Sequence, residues 1–336
     1  MKKYLLIVNP HSGSQRSRNA SQRNMAIHLL ACAGHNVSVL YTQHAGHAQQ
    51  IAQQNIGSYD VICAVGGDGT VNEVASALTN TPQAMGIIPT GSGNGLAREL
   101  GIPMHIKGAV EVLLKDNRIR IDTCTANNEP FFCTCGIGFD GKVSNEFAKS
   151  DTRGPLTYFK DSLYSFFTHN TANYTLGIDD QTYHHKAFLI ACANASQYGN
   201  NAFIAPDASL TDGLLDITVI KDAPKLEVAQ IGIQLFSKGI EKNAFTQTYR
   251  GKKVHITTPT AVPYHIDGEP RPATKELTID IHPQNLTVVS GDMGNRSEKS
   301  ALNFLNQITN NYFAWKSELV KEVLDFLNDL ANDTEA

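Results

Sequence analysis

Four short apolar runs recur at residues 2–9, 36–42, 60–65 and 84–89, and the stretches between them carry helical spacing. Within 23–35, Ile27, Leu30 and Ala31 share one helical face, and Gly34 stands where a C-cap belongs. Further helices are expected over residues 46–56, 71–79 and 94–100. The apolar runs are short and rich in branched residues, so they read as buried strands. Strands joined through helices run parallel, and a parallel sheet needs both faces covered. The opening part of the chain is therefore expected to form a doubly wound α/β domain over residues 1–124.

The grammar then changes. "FFCTCGIGF", "AFLIACANA", "LLDITVI", "KKVHITT" and "KELTIDIH" are strand-like segments with turns between them, and only two helices, at 155–168 and 225–238, interrupt. This predicts a second domain over 125–292, built from antiparallel strands as a β-sandwich. Leu302, Leu305, Ile308, Leu319, Val323 and Leu327 return to helical spacing. A helix over 298–332 is expected to pack back on the first domain.

Composition narrows the function. A net charge of −4 argues against a general nucleic-acid binder and against polybasic docking to an anionic membrane. The apolar start spans only Tyr4 to Val8 before Asn9 and Pro10 interrupt it, short of the roughly 7–15 residues of a signal peptide core. No stretch approaches the about 18 consecutive apolar residues of a membrane span. The six cysteines are scattered and read as reduced core residues. A cytoplasmic location is expected.

Loops rich in small and polar residues follow three of the strands. "GGDGTVNE" places Gly66, Gly67, Asp68, Gly69 and Thr70 between a strand and a helix, followed by Val71 and Asn72. Ligands of open α/β sheets bind at the carboxyl ends of strands, and glycine lets backbone amides approach a phosphate closely. Asp68 beside a bare anion would be out of place unless Mg²⁺ lies between them. The competing reading is a plain turn with Asp68 as helix N-cap. "VNPHSG" and "IIPTGSGNGLAREL" occupy equivalent positions, so three loops can surround one nucleotide. "GIGFDGKV" ends in valine where a phosphate-binding loop needs Ser or Thr, and it falls in the strand-rich part.

In order, "NPHSG", "GGDGTVNEV", "PTGSGNGLAREL", "SLTDGLLDI" and "HIDGEP" resemble the motifs of the diacylglycerol kinase catalytic superfamily, which includes bacterial soluble lipid kinases and sphingosine kinases. The resemblance covers residues 1 to 292 and implies ATP bound in the cleft between the two domains. ATP contacts then fall on Asn9, Pro10, His11, Ser12, Gly13, Thr42, Gly66 to Asn72 and Thr90. Phosphoryl transfer to an alcohol needs charge neutralisation and a modest proton acceptor. The resemblance implies Glu269 as acceptor, Asp267 as its partner and Asp68 chiefly on Mg²⁺, although in sphingosine kinases the acid matching Asp68 is favoured as acceptor. It also implies a structural Mg²⁺ held by the Asp212 carboxylate and the carbonyls of Ser209 and Leu214. A turn with surface acids is the competing reading at both places.

A membrane lipid at the bilayer surface is the implied substrate, with the enzyme peripheral at the inner membrane face; a homodimer is compatible. "GSGNG" is similar to the sphingosine kinase "GSGN" rather than to the "GT-x-ND" of bacterial diacylglycerol kinases, which leaves diacylglycerol and a sphingoid base both open. Asp140 would meet the polar lipid head. The stripe Leu156, Phe159, Leu163 and Phe166 reads as core or as an acyl-chain groove. Two alternatives stand beside a lipid kinase: a soluble-substrate kinase of the NAD kinase type, and a non-catalytic lipid-binding homologue.

Overall fold

The computed structural model describes residues 1–12, 16–139, 141, 171–199 and 201–293. The predicted helices at 155–168 and 298–332, Asp140 and Gly13 lie outside them. The first half runs β1 (Lys3–Val8), α1 (Arg16–Cys32), β2 (Asn36–Tyr41), α2 (His47–Gln54), β3 (Val61–Gly66), α3 (Asp68–Leu78), β4 (Ala84–Pro89), α4 (Gly95–Glu99) and α5 (Ile106–Lys115). Strands β4, β3, β1 and β2 lie side by side in that order and are parallel throughout. Every residue of β3 and β4 is buried, as a strand covered on both faces requires.

Helix α3 begins at Asp68, three residues earlier than its apolar spacing suggests, so Asp68, Gly69 and Thr70 form its first turn rather than a loop. Helix α5 is not anticipated from the sequence, although Ile106, Ala109, Val110 and Leu113 are all buried. The His105 ring caps it, accepting from the Gly108 N–H at 3.1 Å.

The second half holds β5 (Arg118–Ala126), β6 (Glu129–Phe131), β7 (Thr134–Gly138), β8 (Ala172–Ile178), β9 (Gln181–Ala193), β10 (Leu215–Lys221), α6 (Lys225–Ser237), β11 (Thr246–Gly251), β12 (Lys253–Ile266) and β13 (Glu269–Val289). Its ladders are antiparallel. Strands β9 and β12 are long enough to pair twice: their inner parts flank β7 and their outer parts flank β8. Sharing these strands closes the sandwich around a core that includes Cys124, Phe131, Ile137, Ile190, Ile217 and Leu277.

Strand β13 joins the two halves. Its first part forms a hairpin with β12, and its last residues pair parallel with β4, with Thr287 opposite Ala84. The ladder with β5 is irregular between His282 and Leu286. There the buried Asp122 carboxylate accepts from the Gln284 and Gly213 N–H groups, each at 2.7 Å. The Thr123 hydroxyl donates to Asn285 Oδ1 at 2.8 Å, and the Asn80 N–H reaches the Asn285 carbonyl at 2.7 Å.

Candidate active site

In the order β4-β3-β1-β2, the chain leaves β1 in one direction and returns on its other side as β3, so the topological switch falls between these two strands. Asn9 follows β1 and Gly67 follows β3, which sets both at that crevice. The Asn9 N–H donates to the Val65 carbonyl at 3.1 Å, its side-chain amide donates to Thr70 Oγ1 at 3.3 Å, and its Oδ1 accepts from the His11 N–H at 2.9 Å. The Ser12 and Thr90 hydroxyls bond each other at 2.7 Å, and the Thr90 N–H donates to the Gly66 carbonyl at 2.9 Å. Asn9, His11, Ser12, Gly66, Thr70 and Thr90 thus form one polar cluster, with Pro10 between two of its members. Thr42, at the end of β2, is buried and its N–H donates to the Val8 carbonyl at 2.9 Å.

The glycines have a structural reason that sequence reasoning did not supply. A Cβ on Gly66 would lie 2.5 Å from Thr70 Cβ, and one on Gly91 would lie 2.6 Å from Gly67 Cα. Gly67 has φ −92°, an ordinary extended backbone. Its smallness serves the contact between the "GGDGT" and "GSGNG" segments. Gly67 is also the N-cap of α3 and offers no side chain to the helix, so the first-turn amides are not capped from within it. An uncapped helix N-terminus at a sheet switch point suits an anionic ligand.

Asp68 has both oxygens engaged: Oδ2 accepts from the Asn94 N–H at 2.8 Å and Oδ1 from the Gly95 N–H at 2.7 Å, at the start of α4. Each oxygen retains a second acceptor position. Asn94, in the left-handed region at φ 54°, pins its own loop by donating to the Gly91 carbonyl at 2.8 Å. Glu73 sits inside "GGDGTVNEV" but has no role that the motif implies. Its Oε1 accepts from the Gly46 N–H at 2.7 Å and its Oε2 from the Ala48 N–H at 2.9 Å, so α3 supplies the cap that α2 lacks.

The second half closes over this edge. Asp68, Val71, Asn72, Phe132, Tyr198 and Asp267 line one cleft. Asp267 and Gly268, at φ 48° and 81°, form the tight β12–β13 turn, an Asp-Gly pair suited to two left-handed residues. The turn gives its two carboxylates different surroundings. Asp267 accepts from the N–H groups of Phe132 at 2.9 Å, Cys133 at 2.9 Å and Thr134 at 3.0 Å, and from the Asn72 amide at 2.9 Å. Burial pushes its carboxyl up from the usual range, and those four hydrogen bonds oppose the shift. It is a clamp between α3 and the start of β7. Glu269 is well exposed instead, 3.5 Å from the Arg271 guanidinium, which bonds Glu129 at 2.7 Å. A Cβ on Gly69 would stand 3.3 Å from Glu269 Oε1, so this acid reaches the glycine segment of the first half.

Two family profiles divide the chain much as its fold does. One, described as the diacylglycerol kinase catalytic domain, matches residues 3–126, and the other, the YegS C-terminal NAD kinase beta sandwich-like domain, matches 133–290. The chain belongs to the diacylglycerol kinase catalytic superfamily. A diacylglycerol kinase of Staphylococcus haemolyticus is 28% identical over 270 residues, 79% of this chain and 81% of its own. A probable YegS-like lipid kinase of Yersinia enterocolitica is 28% identical over 288 residues, 83% of this chain and 94% of its own. The crystal structure of a putative diacylglycerol kinase from Bacillus anthracis superposes with a TM-score of 0.71 at 25% identity, over 86% of this chain and 95% of the other. The expected α/β domain followed by a β-sandwich is therefore the architecture of this lipid kinase family, whose kinase chemistry implies ATP.

For this family member, the expected metal turn is a separate matter. Asp212 Oδ2 is bonded by the Arg250 guanidinium, and Oδ1 accepts from the Leu214 N–H at 3.1 Å. The Ser209 hydroxyl bonds Thr211 at 3.3 Å. No group of three or more His, Cys, Asp or Glu side chains is placed to hold a metal among the described residues. With a guanidinium already on its one carboxylate, the Ser209, Asp212 and Leu214 set does not fit a Mg²⁺ ion, which demands near-octahedral oxygen ligands. No helix of the described residues is long and apolar enough to cross a membrane.

Proposed function

We propose that the protein transfers the γ-phosphoryl group of ATP to the hydroxyl of a membrane lipid, diacylglycerol or a sphingoid long-chain base, at a bilayer surface inside the cell. The reach of Glu269 Oε1 to within 3.3 Å of a Cβ position on Gly69 carries this reading, because it sets a carboxylate of one half against the phosphate-suited segment of the other. The nucleotide rests on Asn9 to Gly13, Thr42, Gly66 to Asn72 and Thr90, with its phosphates against the uncapped start of α3. Mg²⁺, with Asp68 as its protein partner, supplies charge neutralisation when bound. Glu269 accepts the lipid hydroxyl proton as that oxygen bonds to the γ-phosphorus and ADP departs. A loose transition state asks little of this base, so an exposed carboxylate beside Arg271 suffices. Asp267 keeps the Glu269 turn registered on α3.

Incubating the protein with radiolabelled ATP and mixed micelles of diacylglycerol, sphingoid base, ceramide or monoacylglycerol tests the reading. Label is expected in diacylglycerol phosphate or the phosphorylated base. Label appearing only in a soluble acceptor such as NAD, or in none, would overturn it.

A further inference from the structure

We propose that Arg250 is the resident cation of the turn at 209–214, and that this turn keeps its shape without a divalent metal. The register of the β10–β11 ladder sets Asp216 directly opposite Arg250. Directly opposed, oppositely charged side chains in an antiparallel pair are held within contact by the backbone alone. From that position Arg250 Nε reaches Asp216 Oδ1 at 3.1 Å, while Nη2 bonds Asp212 Oδ2. One guanidinium thus joins the strand to the turn. A planar fork with several donors can serve two carboxylates at once, which a lysine ammonium on its flexible stem does less well.

The remaining oxygens of the turn are held by the fold. Asp212 Oδ1 accepts the Leu214 N–H, and the Gly213 N–H is fixed by the buried Asp122 carboxylate at 2.7 Å. Gly213 itself has φ 70° and a Pro283 ring against it, so the tip is shaped by backbone and packing. Asp207 and Glu241 also bear electrostatically on this corner, Glu241 on Asp216 and Asp207 on Glu241. Such an acidic corner is relieved by positive charge, and Arg250 brings it covalently attached. A dication would have to displace the guanidinium from Asp212 and leave it beside a second positive charge.

The test is thermal unfolding of the full chain after chelator treatment, without ATP or lipid, so it stands apart from any result on activity. Adding millimolar MgCl₂ is expected to leave the wild-type midpoint unchanged. Arg250→Met should lower it by several degrees, and Mg²⁺ or Mn²⁺ should then restore part of the loss, because Asp212 and Asp216 are left facing one another. Arg250→Lys should fall between. If Arg250→Met does not fold, a Mn²⁺ titration followed by electron paramagnetic resonance replaces it, with equal binding expected for wild type and Asp212→Asn. A saturable rise of the wild-type midpoint with Mg²⁺ that Asp212→Asn abolishes, or one Mn²⁺ fewer bound by Asp212→Asn, would overturn the proposal.

Discussion

Two acids separated by a single glycine end with opposite duties. Asp267 is held by three backbone N–H groups and the Asn72 amide, whereas Glu269 is exposed beside Arg271, where the proposed reaction has it accept the substrate proton. Removing a general base costs about 10²–10⁴-fold in rate. Glu269→Gln should therefore lower kcat by that order with little change in ATP affinity, while Asp68→Asn should weaken the dependence on Mg²⁺. Near-normal turnover by Glu269→Gln, with Asp68→Asn inactive but still binding ATP and Mg²⁺, would move the base to Asp68. Asp267→Ala leaves three buried N–H groups without a partner, each costing about 1–3 kcal/mol. It should lose both stability and kcat, and a variant that melts like wild type would refute the clamp. The sequence made all three acids visible because they sit in motifs. It could not separate their duties, since those depend on which way a left-handed Asp-Gly turn points each side chain.

At the scale of elements, the alternation of strands and helices was legible because β1, β3 and β4 are almost wholly apolar and helices α2 and α3 each carry one apolar face. Strand β5 and helix α5 were not: Arg118 and Arg120 hide the inward face of β5, and Gly101 and Pro103 make the start of α5 resemble a loop. Glu73 shows a subtler limit. It belongs to "GGDGTVNEV", yet its partners, Gly46 and Ala48, lie 27 and 25 residues away. By capping α2 it fixes the segment that follows Thr42, a residue of the proposed nucleotide site. Glu73→Gln keeps one acceptor and turns an NH₂ toward the other N–H, a loss of about 1 kcal/mol. The expected result is a roughly fivefold higher KM for ATP with kcat nearly unchanged. A changed kcat at constant KM would show that Glu73 acts elsewhere.

Across the whole molecule, the first half is not closed by its own stretch of chain. The sandwich's β13 supplies the strand beside β4, and the irregularity at Pro283 to Asn285 marks where it passes from one sheet to the other. Asp122 grips that passage from β5 and holds the turn at Gly213 with its second oxygen. Asp122→Asn should destabilise the protein by about 2–4 kcal/mol, since a buried amide would face an N–H it cannot accept. Unfolding followed separately in the two halves should still show one transition. Two transitions would mean that they are joined less tightly than β13 implies. A continuous strand also governs how the cleft can open. Two bodies on a flexible tether swing like a gate, whereas a continuous strand shared by both halves favours a twist along its own axis, like pages on a sewn spine. Glu269 lies at one end of the ribbon and Thr287, beside β4, near the other. A twist that lifts the acid from Gly69 must therefore be absorbed along the same strand whose far end is paired to the start of β4.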